Sequence, residues 1–365
     1  MRSSSLRWAV CTLVATLCVV TQANAAEIAT IAGTGVDEHS GDGGPALKAG
    51  LSNPFGLEIA PDGMLYFCDF TNHVIRRMDL KTGFLTTVAG TPRNPGFAGD
   101  GGPALRAKFH EPHEIRFDRN GNYYISDMKS DVIRRIDAKT QIITTVAGTA
   151  KPGFTGDGGP ATKAEFNNPI AVSLDGDARL LICDIKNHRV RQVDLESGLV
   201  STFAGNGEKN PVVDGAPLSS TAFFGPRSLA VDTNHDVILV LREGNAVYRI
   251  DRKEKSVRHL AGTGKKGYAG DGGDGKLAQV NGPKGIAIDH QGNILLCDTE
   301  NHVIRIIERL TGKIDTLVGD GTIGDGPDGN PRHCRLNRPH GVFVALDGTV
   351  YIGDSGNHKI RKLTR

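Results

Sequence analysis

A glycine-rich, aspartate-bearing hexapeptide recurs along the chain. GDGGPA begins at residues 41, 99 and 156, and GDGGDG and GDGPDG begin at 270 and 324. A phosphate-binding loop needs a following Lys-Ser/Thr on a helix, and a calcium site needs about six oxygen ligands. The hexapeptide supplies neither, although Asp37 and Glu38 beside Asp42 leave a calcium loop open for the first copy. We interpret it as a structural loop whose glycines adopt positive φ and whose aspartate caps backbone amides.

A second recurring pattern pairs an aspartate with an arginine seven residues later. It occurs as Asp69 and Arg76, Asp127 and Arg134, Asp184 and Arg191, Asp298 and Arg305, and Asp354 and Arg361. One further unit has Leu241 and Tyr248 in these positions. Replacement of both the aspartate and the arginine in one unit is typical of a buried ion pair, since losing one partner alone would leave a charge unpaired. We interpret these ten residues as structural ion pairs.

Histidines 73, 188, 302 and 358 share one position in an Asn-His turn. If the repeated motifs are arranged in a ring, equivalent residues lie far apart. The pattern therefore predicts turn residues and not a shared metal site.

These motifs belong to a repeat of about 57 residues. The repeated units are 53–90, 111–148, 168–205, 225–262, 282–319 and a shorter 338–365. Each reads as four short strands joined by tight turns such as Asp-Gly, which predicts a six-bladed, all-β propeller of four-stranded antiparallel blades. The last unit lacks a fourth strand. Residues 26–33 (AEIATIAG) resemble that strand. We predict that they complete the last blade and close the ring.

The consensus G-x-x-G-D-G-G-P-A, then P-x-G-h-A-h-D-x-x-G, then Y-I-x-D-x-x-N-H-x-I-R resembles the NHL repeat of bacterial exported propellers. The resemblance covers nearly all of residues 26–365 and implies the propeller fold. It leaves function open, because NHL and related propellers include RNA binders, protein-docking modules, a peptide-amidating lyase and kinase sensor domains, and sugar-lactone hydrolases share the architecture more distantly.

The N-terminal residues predict a cleaved signal peptide over 1–25. An apolar stretch from Trp8 to Val20 follows Arg2 and Arg7, and Ala23 to Ala25 supply small residues for cleavage. Of the chain's 43 basic residues, 41 remain after cleavage, equal to its 41 acidic residues. Zero net charge and export argue against a nucleic-acid partner. We expect a single domain, 26–365, in the periplasm or outside the cell, without membrane insertion.

Candidate binding residues stand where the units differ most, at the start of the predicted innermost strands. The residue after each proline is Phe55, His113, Ile170, Arg227, Lys284 or His340, and three residues later come Glu58, Arg116, Ser173, Ala230, Ala287 and Phe343. We predict a binding rim at the channel mouth, on the face that also carries the hexapeptide loops. Its residues are Phe55, Glu58, His113, Glu114, Arg116, Arg227, Lys284 and His340. The rim leans cationic and suits an anionic or polyhydroxylated ligand, unless its side chains are simply solvated or paired with one another.

Two hypotheses for function follow. In the first, the protein is a monomeric, non-catalytic binding or docking propeller without a cofactor, and its rim binds a glycan, a peptide or a protein. In the alternative it is an enzyme with a divalent metal in the channel, a lactone hydrolase or a protein like the peptide-amidating lyase. Propeller enzymes of that kind use inward His or carboxylate ligands, for which His113, Glu114 and His340 are the candidates here, with Glu58 as a further carboxylate.

Overall fold

The computed structural model describes residues 26–365, and the predicted signal peptide lies outside the described residues. The first strands are β1 (Glu27–Ala32), β2 (Gly44–Pro45), β3 (Pro54–Ile59), β4 (Leu65–Asp69), β5 (Val74–Met78), β6 (Phe84–Ala89), β7 (Pro112–Phe117), β8 (Tyr123–Asp127), β9 (Val132–Ile136), β10 (Ile143–Ala147), β11 (Pro169–Asp175), β12 (Arg179–Asp184) and β13 (Arg189–Asp194). The others are β14 (Val200–Ala204), β15 (Pro226–Val231), β16 (Val237–Leu241), β17 (Ala246–Asp251), β18 (Ser256–Ala261), β19 (Gly273–Asp274), β20 (Ile286–Ile288), β21 (Ile294–Asp298), β22 (Val303–Ile307), β23 (Lys313–Val318), β24 (Gly341–Val344), β25 (Val350–Asp354) and β26 (Lys359–Thr364).

The helical segments are single turns of 3₁₀ helix in two sets. One set precedes the innermost strands: Ala46–Lys48, Ala104–Arg106, Ala161–Lys163, Gly275–Leu277 and Pro331–His333. The other set lies between the second and third strands of a blade: Phe70–Asn72, Met128–Ser130, Ile185–Asn187, Thr299–Asn301 and Ser355–Asn357. No helix within residues 26–365 is long and apolar enough to cross a membrane.

The strands form six antiparallel blades, which confirms the predicted propeller. Blades one to five run outward from the channel as β3–β6, β7–β10, β11–β14, β15–β18 and β20–β23. Blade six consists of β24, β25, β26 and β1, with Glu27 opposite Thr364 and Thr30 opposite Arg361. The strand at the start of the described chain therefore closes the ring and removes two open strand edges.

The hexapeptides lie at the outer edge of the blades and not around the channel mouth. Gly44 and Pro45 pair with Leu85 and Phe84 of the outermost strand of blade one, and β19 pairs with β23 in the same way. This differs from the expectation that the hexapeptide loops share the face of the binding rim. The two faces are better distinguished by their turns: the Asn-His face carries the turns at His73 and its equivalents, and the hairpin face carries turns such as Asp62-Gly63.

A bulge in the innermost strands decides which side chains share the channel. In β3 the pairing with β4 shifts between Phe55 and Leu57, and equivalent shifts occur in β7, β11 and β15. A bulge adds one residue to a strand and redirects the side chains beyond it. Residues three apart, such as Phe55 and Glu58, therefore both face the channel, one nearer each end.

Candidate functional site

The predicted rim residues that follow the prolines meet inside the channel, near the Asn-His face. The ring of Phe55 stacks on that of His340 with centroids 4.2 Å apart, and lies 4.8 Å from the ring of His113. Nζ of Lys284 lies 2.9 Å from Nε2 of His340. We call Phe55, His113, Ile170, Arg227, Lys284 and His340 the upper ring.

The upper ring is buried and is therefore not the solvated rim that was the alternative to a binding rim. Phe55, His113, Ile170, Arg227 and Lys284 are only 4–8% exposed, and His340 is half-buried. Six strands converge here, so each side chain packs against its neighbours around the axis. Solvation by bulk water is therefore excluded as the explanation for the polar residues at these positions.

The charges of the upper ring are poorly compensated. Within residues 26–365, Nη1 of Arg227 and both ring nitrogens of His113 are buried without a hydrogen-bond partner. Lys284 has one carboxylate partner, Glu300, at 3.1 Å. Burial lowers the pKa of Lys284 to about 7, and the charge of Arg227 adds to this effect. Burial likewise lowers the pKa of Arg227 to about 10, with a contribution from Arg242.

The two ring histidines are uncharged at neutral pH. Burial lowers the pKa of His113 well below 6.5, and the positive charges of Arg227 and Lys284 lower it further. His340 shows the same shift for the same reasons. The upper ring is thus a desolvated cluster with unsatisfied hydrogen-bond donors, which is the electrostatic character of an anion site.

The second set of predicted rim residues lines a separate cavity of about 260 Å³ nearer the hairpin face. Its polar lining comes from Glu58, Arg116 and Ser173, and its walls are apolar, with Ala230, Ala287 and Phe343 among them. Through Glu58 and Phe343 it adjoins a groove of about 720 Å³ that reaches the exposed hairpin turn at Leu346. The predicted rim is therefore two tiers with different surroundings.

Arg116 is already paired in this cavity. Its Nη1 lies 2.6 Å from Oε1 of Glu114, and its Nε lies 3.6 Å from Oε2 of Glu58. Burial raises the pKa of Glu58 to about 7, although Arg116 opposes the shift. Arg116 thus contacts two carboxylates, whereas within residues 26–365 Lys284 contacts one, Glu300, and Arg227 contacts none.

The candidate metal ligands His113, Glu114 and His340 are not brought together as a ligand set. Glu114 is bonded to Arg116, and the two imidazoles pack against Phe55. Within residues 26–365 there is no group of three or more His, Cys, Asp or Glu side chains arranged to hold a metal ion.

Comparison with known proteins identifies the repeat. The NHL repeat family model matches residues 336–363, the last unit. NHL repeat-containing protein 2 of Bos taurus is 31% identical over 197 residues, which cover 52% of this chain and 27% of that protein. The chain is an NHL-repeat β-propeller. It spans only 25–44% of the length of the first curated relatives that it matches.

Solved structures show the same fold as this NHL propeller. An auxiliary nutrient binding protein from Bacteroides thetaiotaomicron matches with a TM-score of 0.67 and 17% identity, over 93% of this chain and 76% of that one. Catalytically inactive virginiamycin B lyase from Staphylococcus aureus, solved with quinupristin, matches with a TM-score of 0.55 and 16% identity, over 93% and 99%. At these identities the likeness concerns the fold alone, and the propeller neighbours include both binding proteins and enzymes.

The Asp–Arg pairs of the NHL propeller lie within its blades. The carboxylate–guanidinium distances are 3.5 Å for Asp69–Arg76, 3.6 Å for Asp127–Arg134, 3.5 Å for Asp184–Arg191, 3.4 Å for Asp298–Arg305 and 3.0 Å for Asp354–Arg361. All ten side chains are at most 2% exposed. Each aspartate also accepts a backbone amide hydrogen bond, such as that from Ser52 to Asp69 at 2.6 Å.

Each of these arginines has a second carboxylate partner that the sequence analysis missed: the aspartate of the hexapeptide. Arg76 lies 2.7 Å from Asp42, and the same contact is 2.6 Å for Arg134–Asp100, 2.7 Å for Arg191–Asp157, 2.5 Å for Arg305–Asp271 and 3.0 Å for Arg361–Asp328. Asp42 also accepts from the amide of Thr87 at 3.0 Å, as an amide cap would. The available signal was the separation, which is 34 residues in four of the five pairs, such as Asp42 and Arg76, and 33 residues in Asp328–Arg361.

The Asn-His turns also connect neighbouring blades, which sequence reasoning did not predict. In each blade one side chain of this turn accepts a hydrogen bond from the amide that precedes the next innermost proline. The acceptors are Nδ1 of His73, His188, His302 and His358, and Oδ1 of Asp131 and Asn245. All six acceptor residues have positive φ, between 45° and 60°. The need for a side-chain acceptor and for a positive φ together explains why His, Asp and Asn occupy this position.

Proposed function

We propose that this NHL propeller is a non-catalytic ligand-binding or docking protein that binds an anionic group at the upper ring. The anionic group would belong to a glycan, a peptide or a protein partner. The observation that carries the proposal is the burial of Arg227 and Lys284: within residues 26–365, Glu300 contacts Lys284 and no carboxylate contacts Arg227. A buried cation without a contacting anion costs several kcal/mol, and a bound anion would offset that cost.

Glu300 shows how a carboxylate reaches the ring. Its Oε1 lies 3.1 Å from Nζ of Lys284 and 2.9 Å from Nη2 of Arg338. Glu300 is about 30% exposed and Arg338 about 48%, so this contact connects the ring to the surface of the Asn-His face. A ligand carboxylate or sulfate that displaces Glu300 would meet the same two cations and, beyond them, the unpartnered donors of Arg227 and His113.

The similarity in fold to an auxiliary nutrient binding protein supports a binding role. A signal peptide at 1–25 would place the mature protein in the periplasm or outside the cell, where a monomeric propeller could meet such ligands. Export, this location and the monomeric state are therefore proposed together with the binding role.

The test is a double replacement, Arg227→Ala with Lys284→Ala, assayed by calorimetric titration with sulfate, an oligogalacturonate and an acidic peptide. Each charge-assisted hydrogen bond is worth about 1.5–3 kcal/mol, so we expect binding to weaken at least about tenfold. The control is Lys81→Ala with Lys139→Ala, which removes the same charge from exposed positions. Equal losses in both double variants, or unchanged binding in the first, would contradict the proposal.

One observation favours the enzyme alternative, a lactone hydrolase or a lyase. Glu58 lines an accessible cavity, and its pKa of about 7 suits a general acid or base near neutral pH. The similarity in fold to virginiamycin B lyase is consistent with this alternative. Turnover of lactones or depsipeptides in the presence of divalent metal that is abolished by Glu58→Gln would establish it, and absence of turnover would leave binding as the function.

A further inference from the structure

Blade four lacks the arginine that fills one interior position in each of the other five blades. Leu241 replaces the strand aspartate and Tyr248 replaces the arginine, while the hexapeptide aspartate is retained as Asp214. Asp214 accepts from the amide of His259 at 2.8 Å, as Asp42 accepts from that of Thr87 at 3.0 Å. Blade four thus keeps one of the two carboxylates that hold an arginine in the other blades, and Asp214 lies 3.4 Å from Nζ of the exposed Lys276.

A cavity of about 390 Å³ lies at this position. Its lining includes Val212, Asp214, Leu241, Glu243 and Tyr248. A guanidinium group is far smaller than this space. We call this cavity the blade-four pocket.

Hydrogen-bond acceptors remain in place around the pocket. In blade three the arginine donates to the carbonyl oxygens of Thr155 and Glu165. Of the two equivalent positions, 57 residues later, Val212 lines the pocket and Ala222 does not. The carbonyl of Val212 accepts no hydrogen bond within residues 26–365. Val212 and Asp214 thus supply two of the acceptors that the arginines of other blades use.

One further polar atom at the pocket lacks a partner. Oε2 of Glu243 is buried without a hydrogen-bond partner within residues 26–365, although Oε1 of the same carboxylate lies 2.9 Å from Nη1 of Arg242. Buried polar atoms are normally satisfied, and each exception calls for an explanation. A bound cation with several N–H donors would supply the missing partner.

The geometry points to a guanidinium-binding site in blade four, and we propose that it takes the guanidinium of an external ligand, either an arginine side chain of a peptide segment or a small guanidine. A planar guanidinium matches carboxylate and carbonyl acceptors in one plane, whereas an ammonium is a compact point charge without that match. In blades one, two, three and five the equivalent aspartate and carbonyl hold a guanidinium, together with the strand aspartate that Leu241 replaces here. This site is separate from the upper ring and takes the opposite charge.

The probes are agmatine, putrescine as an ammonium control of the same charge, and a short peptide with one arginine, each titrated into residues 26–365 by calorimetry. We expect saturable agmatine binding and at least tenfold weaker binding of putrescine. Tighter binding of the peptide than of agmatine would assign the source to a polypeptide, and equal or weaker binding to a small guanidine. Absence of saturable agmatine binding, or equal binding of putrescine, would overturn the proposal.

The decisive variant is Leu241→Asp with Tyr248→Arg, which copies the other blades and supplies the chain's own guanidinium. We expect it to abolish agmatine binding while the melting temperature is kept or raised. Asp214→Asn should weaken binding at least tenfold, and Asp177→Asn, at an exposed carboxylate, should not change it. Agmatine binding that survives Leu241→Asp with Tyr248→Arg would place the site elsewhere and overturn the proposal.

Discussion

Nδ1 of His73 accepts a hydrogen bond 3.2 Å long from the backbone amide of Glu111, and this bond joins blade one to blade two. The amide belongs to the residue just before Pro112, where β7 begins. This amide precedes Pro112, the first paired residue of β7, so the pairing with β8 does not supply it with a partner. The histidine turn therefore joins neighbouring blades by a hydrogen bond, as strand pairing joins the strands within a blade.

Replacing His73 should reveal this inter-blade bond. His73→Ala leaves the amide of Glu111 unsatisfied and puts alanine at positive φ, so we expect a loss of about 1–3 kcal/mol in the free energy of unfolding. His73→Asn should recover most of it, since Asn245 performs this role in blade four. Urea unfolding measures both. Equal losses for Ala and Asn would show that the acceptor atom is unimportant.

The same histidines should make stability depend on pH. Burial lowers the pKa of His73, His188 and His302 from 6.5, so below that pH the unfolded chain binds more protons than the folded one. Their contribution to stability is present above pH 6.5 and is lost as the pH falls through their folded pKa values. The triple replacement by Asn should flatten the slope of unfolding free energy with pH below pH 6.5, relative to the unchanged protein. An unaltered slope would contradict this.

The second carboxylate makes the two partners of an ion pair unequal. Asp298→Leu leaves Arg305 paired with Asp271, whereas Arg305→Tyr leaves the buried Asp298 without its cation. We expect Arg305→Tyr to cost about 3–5 kcal/mol and Asp298→Leu to cost less. The double variant, which copies blade four, should recover much of the larger loss. Strictly additive losses in a urea double-mutant cycle would rule out this coupling.

Closure of the ring should be essential for folding. Ile28 and Ala32 of β1 are fully buried, and Arg361 of β26 donates to the hydroxyl of Thr30 at 2.6 Å. A chain that starts at residue 34 should aggregate or melt far below one that starts at residue 26, because it exposes the edge of β26. Ile28→Asp in the longer chain tests the same contact without truncation. A truncated chain that melts like the longer one would disprove closure by β1.

Anion binding at the upper ring should weaken with rising pH. The pKa of Lys284 is about 7 without ligand, and an anion in contact with it would hold it protonated. Sulfate does not titrate in this range, so its affinity should fall about tenfold between pH about 6 and about 8 as free Lys284 loses its proton. Lys284→Arg should remove most of this dependence because arginine stays charged. Affinity that is flat with pH in the unchanged protein would argue against contact with Lys284.

The amino-acid sequence by itself determined the blades and their closure. Strand alternation, two-residue turns and the position of Asp298 relative to Arg305 are local features, and hydrogen bonding within a hairpin makes them readable from spacing. The match between residues 26–33 and the missing last strand is readable for the same reason, since an unpaired strand edge demands a partner.

Only the tertiary structure decided how blades contact one another. That Asp42 reaches Arg76, that His73 bonds the next blade, and that Arg227 and Lys284 are buried while Glu58 lines a cavity all depend on the ring closing at one diameter. Such contacts join residues far apart in the chain, and their distances follow from the packing of six blades and from the bulge in each inner strand. The sequence pattern of a single unit does not indicate how the blades pack. The charged residues of the channel could therefore be identified from the sequence, but their burial and contacts could not be predicted.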